Sequence, residues 1–164
     1  MALYAIFGAG GFGREVMPAA HEMITATHGT KGNEFVFIEV NHKKQTVING
    51  YKVISEEDFL SWPVDEKYFN VAISDCKTRE QIAEKLLAAN IKAFTIQAGN
   101  TIIYDENHIG EGAILCAFTT ITSNVKIGRF FHANLYSYVD YDSILGDFVT
   151  FELSVHYIGR VVVE

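Results

Sequence analysis

The chain has 164 residues, 49% of them hydrophobic, and a formal net charge of −7 with no run of Lys or Arg. That supplies core for one large domain or two small ones, and it argues against a nucleic-acid or anionic-membrane partner. No apolar run approaches the ~18–20 residues of a membrane span. The start MALYAIFGAGGFGREV lacks a basic n-region and a cleavage site. Cys76 and Cys116 stand far apart in unlike contexts, as expected of free thiols in a cytoplasmic protein.

Leu3–Phe7 reads as a short apolar strand, followed by Gly8-Ala9-Gly10-Gly11-Phe12-Gly13-Arg14 and a helix to about Thr27. Gly8, Gly10 and Gly13 match G-x-G-x-x-G, with Gly11 added. Such glycines allow a tight turn and close backbone approach, and the helix N-terminus offers N–H groups to phosphate. A tight strand–helix turn with no ligand is the alternative. Pro18 belongs in the first turn of that helix, or else kinks it. Glu34–Val40 is the second strand, with Glu39 at its C-terminal end. An acidic residue there contacts ribose hydroxyls in a dinucleotide site; a solvated strand-end carboxylate is the other reading.

Asn49-Gly50 signals a turn, and Tyr51–Ile54 a short strand. Ser55 caps a helix over Glu56–Ser61, with Glu57 and Asp58 in its first turn. Tyr68–Ile73 is a buried strand. Asp75 caps a helix over Lys77–Ala89 whose apolar stripe is Ile82, Ala83, Leu86 and Leu87, and Ile91–Ile96 is a last strand. This alternation predicts a parallel sheet with its ligand crevice at the C-terminal strand ends. Fewer than a hundred residues leave no room for a full six-stranded dinucleotide fold. A half-Rossmann unit over residues 1–97, binding a nucleotide or nucleotide sugar and not NAD, fits better.

Residues 98–164 follow a different rule. Ile103, Ile109, Leu115, Ile121, Ile127, Ala133, Val139, Leu145, Phe151, Tyr157 and Val163 are apolar at a strict spacing of six. Neither strand nor helix has that period; a stacked solenoid does. Ile109-Gly110, Ile127-Gly128 and Leu145-Gly146 recur every 18 residues, so three hexapeptides make one coil, and about three coils are expected. The fourth residue after each anchor is mostly small or β-branched, which suits a second inward position. His108, His132 and His156, spaced by 24, each fall one coil up and one face around. They do not converge within one subunit, so no metal is expected there. Solvated corners or a subunit interface is the reading.

In this order, IFGAGGFGREV at 6–16, NVAISD at 70–75 and VDYDSILGDFVTF at 139–151 resemble the NeuD/PglD-type bacterial sugar acyltransferases, which N- or O-acetylate sugars. The resemblance implies a left-handed parallel β-helix, contrary to the usual right-handed crossover. It implies a homotrimer with acetyl-CoA between neighbouring β-helices, Gly146 and Phe151 among the residues that meet it, and no metal. It implies a cytoplasmic N-acetyltransferase for a UDP- or dTDP-linked 4-amino-4,6-dideoxy sugar, serving surface-polysaccharide synthesis. Gly8, Gly10, Gly11, Phe12 and Gly13 would then bind the nucleotide sugar, with Glu39 and Asn41 beside them.

The resemblance also places Tyr141 at the position of the base histidine that takes a proton from the sugar amine. Asp142 is then its orienting carboxylate, and Thr150 stands where some members have a second histidine. A phenol, with a reference pKa near ~10 against ~6.5 for imidazole, is a poor base at neutral pH. Glu152-Leu153, Val40 and Gln97-Ala98 depart from the pattern too. The chain ends at Glu164, one residue past the last anchor, while relatives continue for several hexapeptides; it reads as truncated, or as ending under another chain. A catalytically impaired nucleotide-sugar-binding homologue and a sugar O-acetyltransferase are the alternative functions.

Overall fold

The computed structural model describes residues 1–29, 32–40 and 46–164, so Asn41 lies outside the described residues. It falls into two units, Met1–Phe94 and Thr95–Glu164.

The first unit begins with β1 (Ala2–Phe7), whose six residues are all buried, as a central parallel strand requires. α1 (Gly11–His28) follows, then β2 (Asn33–Ile38). β3 (Thr46–Ile48) and β4 (Tyr51–Ile54) form a hairpin across Asn49-Gly50, both at positive φ (51° and 85°), the geometry of a two-residue primed turn. α2 (Glu56–Ser61), β5 (Glu66–Val71), α3 (Cys76–Ala88) and β6 (Lys92–Ala93) complete the unit. The strand order is β3-β4-β2-β1-β5-β6, parallel except for β3. The sheet therefore has six strands, more than expected. The hairpin folds β3 back beside β4, and β6 needs only two residues.

Pro18 lies well inside α1, beyond its first turn. Pro18 and Arg14 are both exposed, so the carbonyl deprived of its helical partner faces water. α1 covers the sheet face that carries Phe35 and Phe37: His21 stands edge-on to Phe35, with ring centroids 4.7 Å apart. Phe7 points to the other face, edge-on to Phe59 of α2 at 5.8 Å. Ser55 and Asp75 cap α2 and α3 by accepting from Asp58 N–H and Thr78 N–H, as their sequence positions suggest.

The second unit consists of two-residue strands joined by corners. It starts with β7 (Ile96–Gln97), and β8 (Ile102–Ile103) to β18 (Val162–Val163) follow every six residues. They form three parallel sheets of four strands each, so there are four coils, where about three were expected. The first strand was hidden because its anchor is the polar Gln97. The anticipated last strand Ile91–Ile96 is split: Lys92–Ala93 closes the first sheet, and Ile96 opens the coil.

Anchors Leu115, Ile121, Ile127, Ala133, Val139, Leu145 and Phe151 fill the interior together with Ala113, Val125 and Phe131. Phe131 occupies an inward position that is elsewhere small, beside the small anchor Ala133, and its ring meets Phe151 edge-on at 5.1 Å. Large beside small keeps the packing dense. A Cβ on Gly110 would stand 2.6 Å from the Gly128 carbonyl carbon, and one on Gly128 would stand 2.5 Å from that of Gly146. The glycine column is what lets successive coils touch.

Positive φ, from 54° to 73°, recurs at every corner after β8: Glu106, Gly112, Phe118, Asn124, Phe130, Tyr136, Asp142, Phe148, Ser154 and Arg160. For an L-residue this costs ~1–2 kcal/mol. From Asn124 onward the conformation aims each corner N–H at a carbonyl of the coil below; Phe130 donates to the Glu111 carbonyl at 2.8 Å and Phe148 to that of Arg129 at 2.8 Å. Corner rings also stack between coils, Phe118 on Tyr136 at 4.8 Å and Phe130 on Phe148 at 5.4 Å, both near parallel. A hydrogen bond and a ring pair at about 1 kcal/mol apiece offset that strain.

Candidate functional site

In the first unit the strand order reverses between β1 and β5, so the crevice lies beyond their C-terminal ends. Gly8 follows β1 at φ 101°, and a Cβ there would stand 2.9 Å from the Ala72 carbonyl oxygen beyond β5. A Cβ on Gly13 would overlap the Gly8 carbonyl outright, so these two glycines hold the turn against the sheet. Gly10 and Gly11 differ: nothing lies within 4 Å of the position a Cβ would take. Gly10 is the N-cap of α1, and no side chain caps that end. The helix start opens outward, in the arrangement that receives an anion. Phe12 is half-buried in the first turn.

Glu39, just past β2, accepts a 2.7 Å hydrogen bond from Ala9 N–H. It is neither fully solvated nor free, because one carboxylate oxygen braces the glycine turn. Across the crevice, Arg79 is fully buried and donates to the Ile73 carbonyl at 2.8 Å and the Ser74 carbonyl at 3.2 Å, fixing the loop after β5. Burial lowers its pKa to about 10, which leaves it charged at neutral pH. The sequence reading missed Arg79, although it lies one helical step before Ala83 and Leu86, on their face.

In the second unit, Tyr141 and Asp142 form the corner between β14 (Tyr138–Val139) and β15 (Ile144–Leu145). Tyr141 is half-exposed, and its carbonyl accepts from Arg160 N–H at 3.0 Å. Asp142, at φ 56°, pairs with Arg160 at 3.6 Å on the exposed corner. The more enclosed acid is Asp140, only 7% exposed. Its Oδ1 accepts from the Tyr138 hydroxyl at 3.0 Å and from the Thr122 hydroxyl at 3.3 Å. That bond to Asp140, with burial second, raises the pKa of Tyr138, so Tyr138 stays protonated and donates. The sequence reading passed over Asp140 because its neighbours Tyr141 and Asp142 already filled the motif.

Thr150 lies on β16 (Thr150–Phe151), in register with His132 of β13 (His132–Ala133), away from Tyr141 in the coil. Gly146 donates its N–H to the Val163 carbonyl at 2.7 Å. The Phe151 side chain is buried in the coil interior, stacked on Tyr157 at 4.7 Å. His108, His132 and His156 fall on three different sheets. They are on strands and not corners, and His132 is buried where a solvated site was anticipated. Among the described residues no group of three or more His, Cys, Asp or Glu could hold a metal ion, and no helix is long and apolar enough to cross a membrane.

A strand-end crevice with a glycine turn and a hexapeptide coil in one chain are shared with known sugar-modifying transferases. The family model for the PglD N-terminal domain matches residues 4–86. The whole chain is 43% identical, over 166 aligned positions, to GDP-perosamine N-acetyltransferase of Escherichia coli O157:H7, and spans 73% of that protein. The solved structure of WeeI from Acinetobacter baumannii AYE superposes with a TM-score of 0.92 at 41% identity, covering 99% of this chain and 74% of that one. The acetyltransferase domain of PglB from Neisseria gonorrhoeae FA1090, in complex with acetyl coenzyme A, gives a TM-score of 0.81 at 26% identity, covering 94% and 72%. The chain belongs to the PglD-type family of sugar N-acetyltransferases, and its second unit is a left-handed parallel β-helix.

Proposed function

We propose that this protein transfers the acetyl group of acetyl-CoA to the amine of a GDP-linked 4-amino-4,6-dideoxy sugar, in the cytoplasm, for bacterial surface-glycan synthesis. The observation that carries the reading is the 43% identity, along the whole chain, to an enzyme that acts on GDP-perosamine. The sequence reading had favoured UDP or dTDP; those share the pyrophosphate with GDP but not the base. Residues 1–97 take the nucleotide sugar: the pyrophosphate lies against Gly10, Gly11 and Phe12 at the start of α1, Gly8 and Gly13 shape the turn, and Glu39 braces it. Asn41, close to Glu39 in sequence, is assigned to the nucleotide sugar as well.

Residues 98–164 serve acyl transfer. The amine attacks the thioester carbon, a backbone N–H stabilises the oxyanion, and the tetrahedral intermediate collapses with release of CoA as a thiol. Tyr141, Asp142 and Thr150 are the residues assigned to this step, and Gly146 to the acetyl-CoA wall. The coil assembles as a homotrimer, a reading supported by the large apolar side chains it exposes, among them Ile102, Phe118, Tyr136, Ile144 and Val162.

A second reading, a nucleotide-sugar-binding protein with impaired catalysis, is favoured by the phenol of Tyr141 at the base position. Thiol release from acetyl-CoA, measured with GDP-, UDP- and dTDP-linked amino and hydroxy sugars, separates the two. Release with a GDP-linked amino sugar is expected. GDP-sugar binding without thiol release from any acceptor would sink the transferase reading and leave the second. A positioned base contributes roughly 10²–10⁴-fold, so Tyr141→His should raise a slow rate at least tenfold near neutral pH.

A further inference from the structure

We propose that Asp140 is the group that selects an amine over a hydroxyl: its carboxylate receives the acceptor nitrogen as an ammonium before that nitrogen is deprotonated. The inference deepens the transferase reading above and rests on it.

Three observations carry it. Asp140 is 7% exposed, whereas Asp142 and Asp147 hold their charges near solvent in pairs with Arg160 and Arg129. Among the described residues Asp140 has no cationic partner; its only donors are the hydroxyls of Tyr138 and Thr122. Thr122 further divides its single proton between Asp140 Oδ1 at 3.3 Å and the Val139 carbonyl at 3.4 Å. Both donors reach Oδ1. Oδ2 has no hydrogen bond or ion pair among the described residues.

A largely enclosed carboxylate, with Oδ1 held by two hydroxyls and Oδ2 open at the surface without a partner among the described residues, is an acceptor left available. Burying an anion costs free energy that neutral hydroxyls return only in part. If the corner needed only an acceptor for Tyr138, an asparagine would serve without that cost. The remaining oxygen calls for a cation, and the reaction brings one, since an alkyl amine is an ammonium at neutral pH. The phenols of Tyr104 and Tyr141 lie near enough to Tyr138 to raise its pKa further. A hydroxyl acceptor would present no charge and would gain little there.

The test is calorimetric binding of GDP, GDP-perosamine and its neutral 4-hydroxy counterpart to the full chain. The wild type should bind the amine about 10–100-fold more tightly than the hydroxyl, the range of a charge-assisted bond. Asp140→Asn should erase that preference and leave GDP affinity unchanged, with KM for the amino sugar raised and kcat little altered. Asp140→Glu should restore part of the preference, and Tyr138→Phe should weaken it several-fold. Equal binding of amine and hydroxyl by the wild type overturns the inference without any variant, as does a preference that survives in Asp140→Asn. GDP binding together with a lost preference isolates the failure to Asp140. Failure to bind GDP or either sugar overturns the GDP-sugar reading and this inference with it.

Discussion

The two units use glycine for opposite ends. In the first, Gly8 and Gly13 are locked to each other and to the Ala72 carbonyl, while Gly10 and Gly11 face open space. The turn is a single event, and part of it is left empty for a ligand. In the second unit, Gly110 and Gly128 are each pressed against the backbone of the next coil, and the corners that demand positive φ are filled mostly by other residues, including Phe118, Phe130, Tyr136 and Phe148. A repeating structure can offset corner strain with bonds and stacks from coil to coil, whereas a lone turn has no neighbour to supply them.

The largest effect should fall where coils meet. Gly128→Val places a Cβ 2.5 Å from the Gly146 carbonyl carbon and 2.6 Å from Asp147 N, backbone that has nowhere to go. A loss of more than ~4 kcal/mol is expected, read as loss of the folded coil in thermal unfolding. Gly146→Ala meets the Val163 carbonyl oxygen at 3.4 Å and should cost much less. Equal penalties at the two sites would mean that coil contact is not what keeps Gly128 a glycine. Next comes the single turn: Gly13→Ala should displace α1 and lower Tm. Gly11→Val, with open space around its Cβ, should leave Tm unchanged and abolish GDP-sugar binding; retained binding would move the phosphate site elsewhere.

A smaller effect of opposite sign is expected inside the coil. The Ser143 hydroxyl is buried without a hydrogen-bond partner. Leaving a buried polar group unsatisfied costs ~1–3 kcal/mol, so Ser143→Ala should raise coil stability by about 1 kcal/mol, net of the small loss of packing. A fall in Tm on that substitution would place an unseen partner on the hydroxyl.

What could be read beforehand follows the same contrast. The coil announced itself because its period repeats eleven times, and Ser55, Asp75 and Asn49-Gly50 announced elements because capping and turn chemistry are local. Gln97 was lost because a polar anchor breaks an apolar pattern, and β3 because three residues carry little period. Arg79 looks like any charged helical residue until its guanidinium is seen holding two carbonyls. Glu39 was placed correctly at a strand end, but its bond to Ala9 spans thirty residues and has no local signal. Asp140 and Asp142 flank Tyr141 and look alike in sequence; enclosure, which belongs to the coil and its rings, sets them apart.

The smallest effect tests whether local capping in the first unit works independently of any ligand. Asp75 accepts hydrogen bonds from the Thr78 side chain and from Thr78 N–H at 2.8 Å, and these hold its pKa below the ordinary carboxylate value. A carboxyl whose pKa is lower folded than unfolded favours the folded state above its unfolded pKa, near ~3.9, and loses that contribution as pH falls through the lower folded value. Asp75→Ala should therefore lower Tm slightly at pH 7, and the difference from wild type should shrink as pH drops below about 4. Asp75→Asn keeps an acceptor at the N-cap but no charge, so its Tm should lie between the two at pH 7. Both differences should persist in saturating GDP, since the cap serves α3 whether or not the crevice is filled. A gap between wild type and Asp75→Ala that stays constant from pH 7 to pH 3 would show that the ionised carboxylate contributes nothing there.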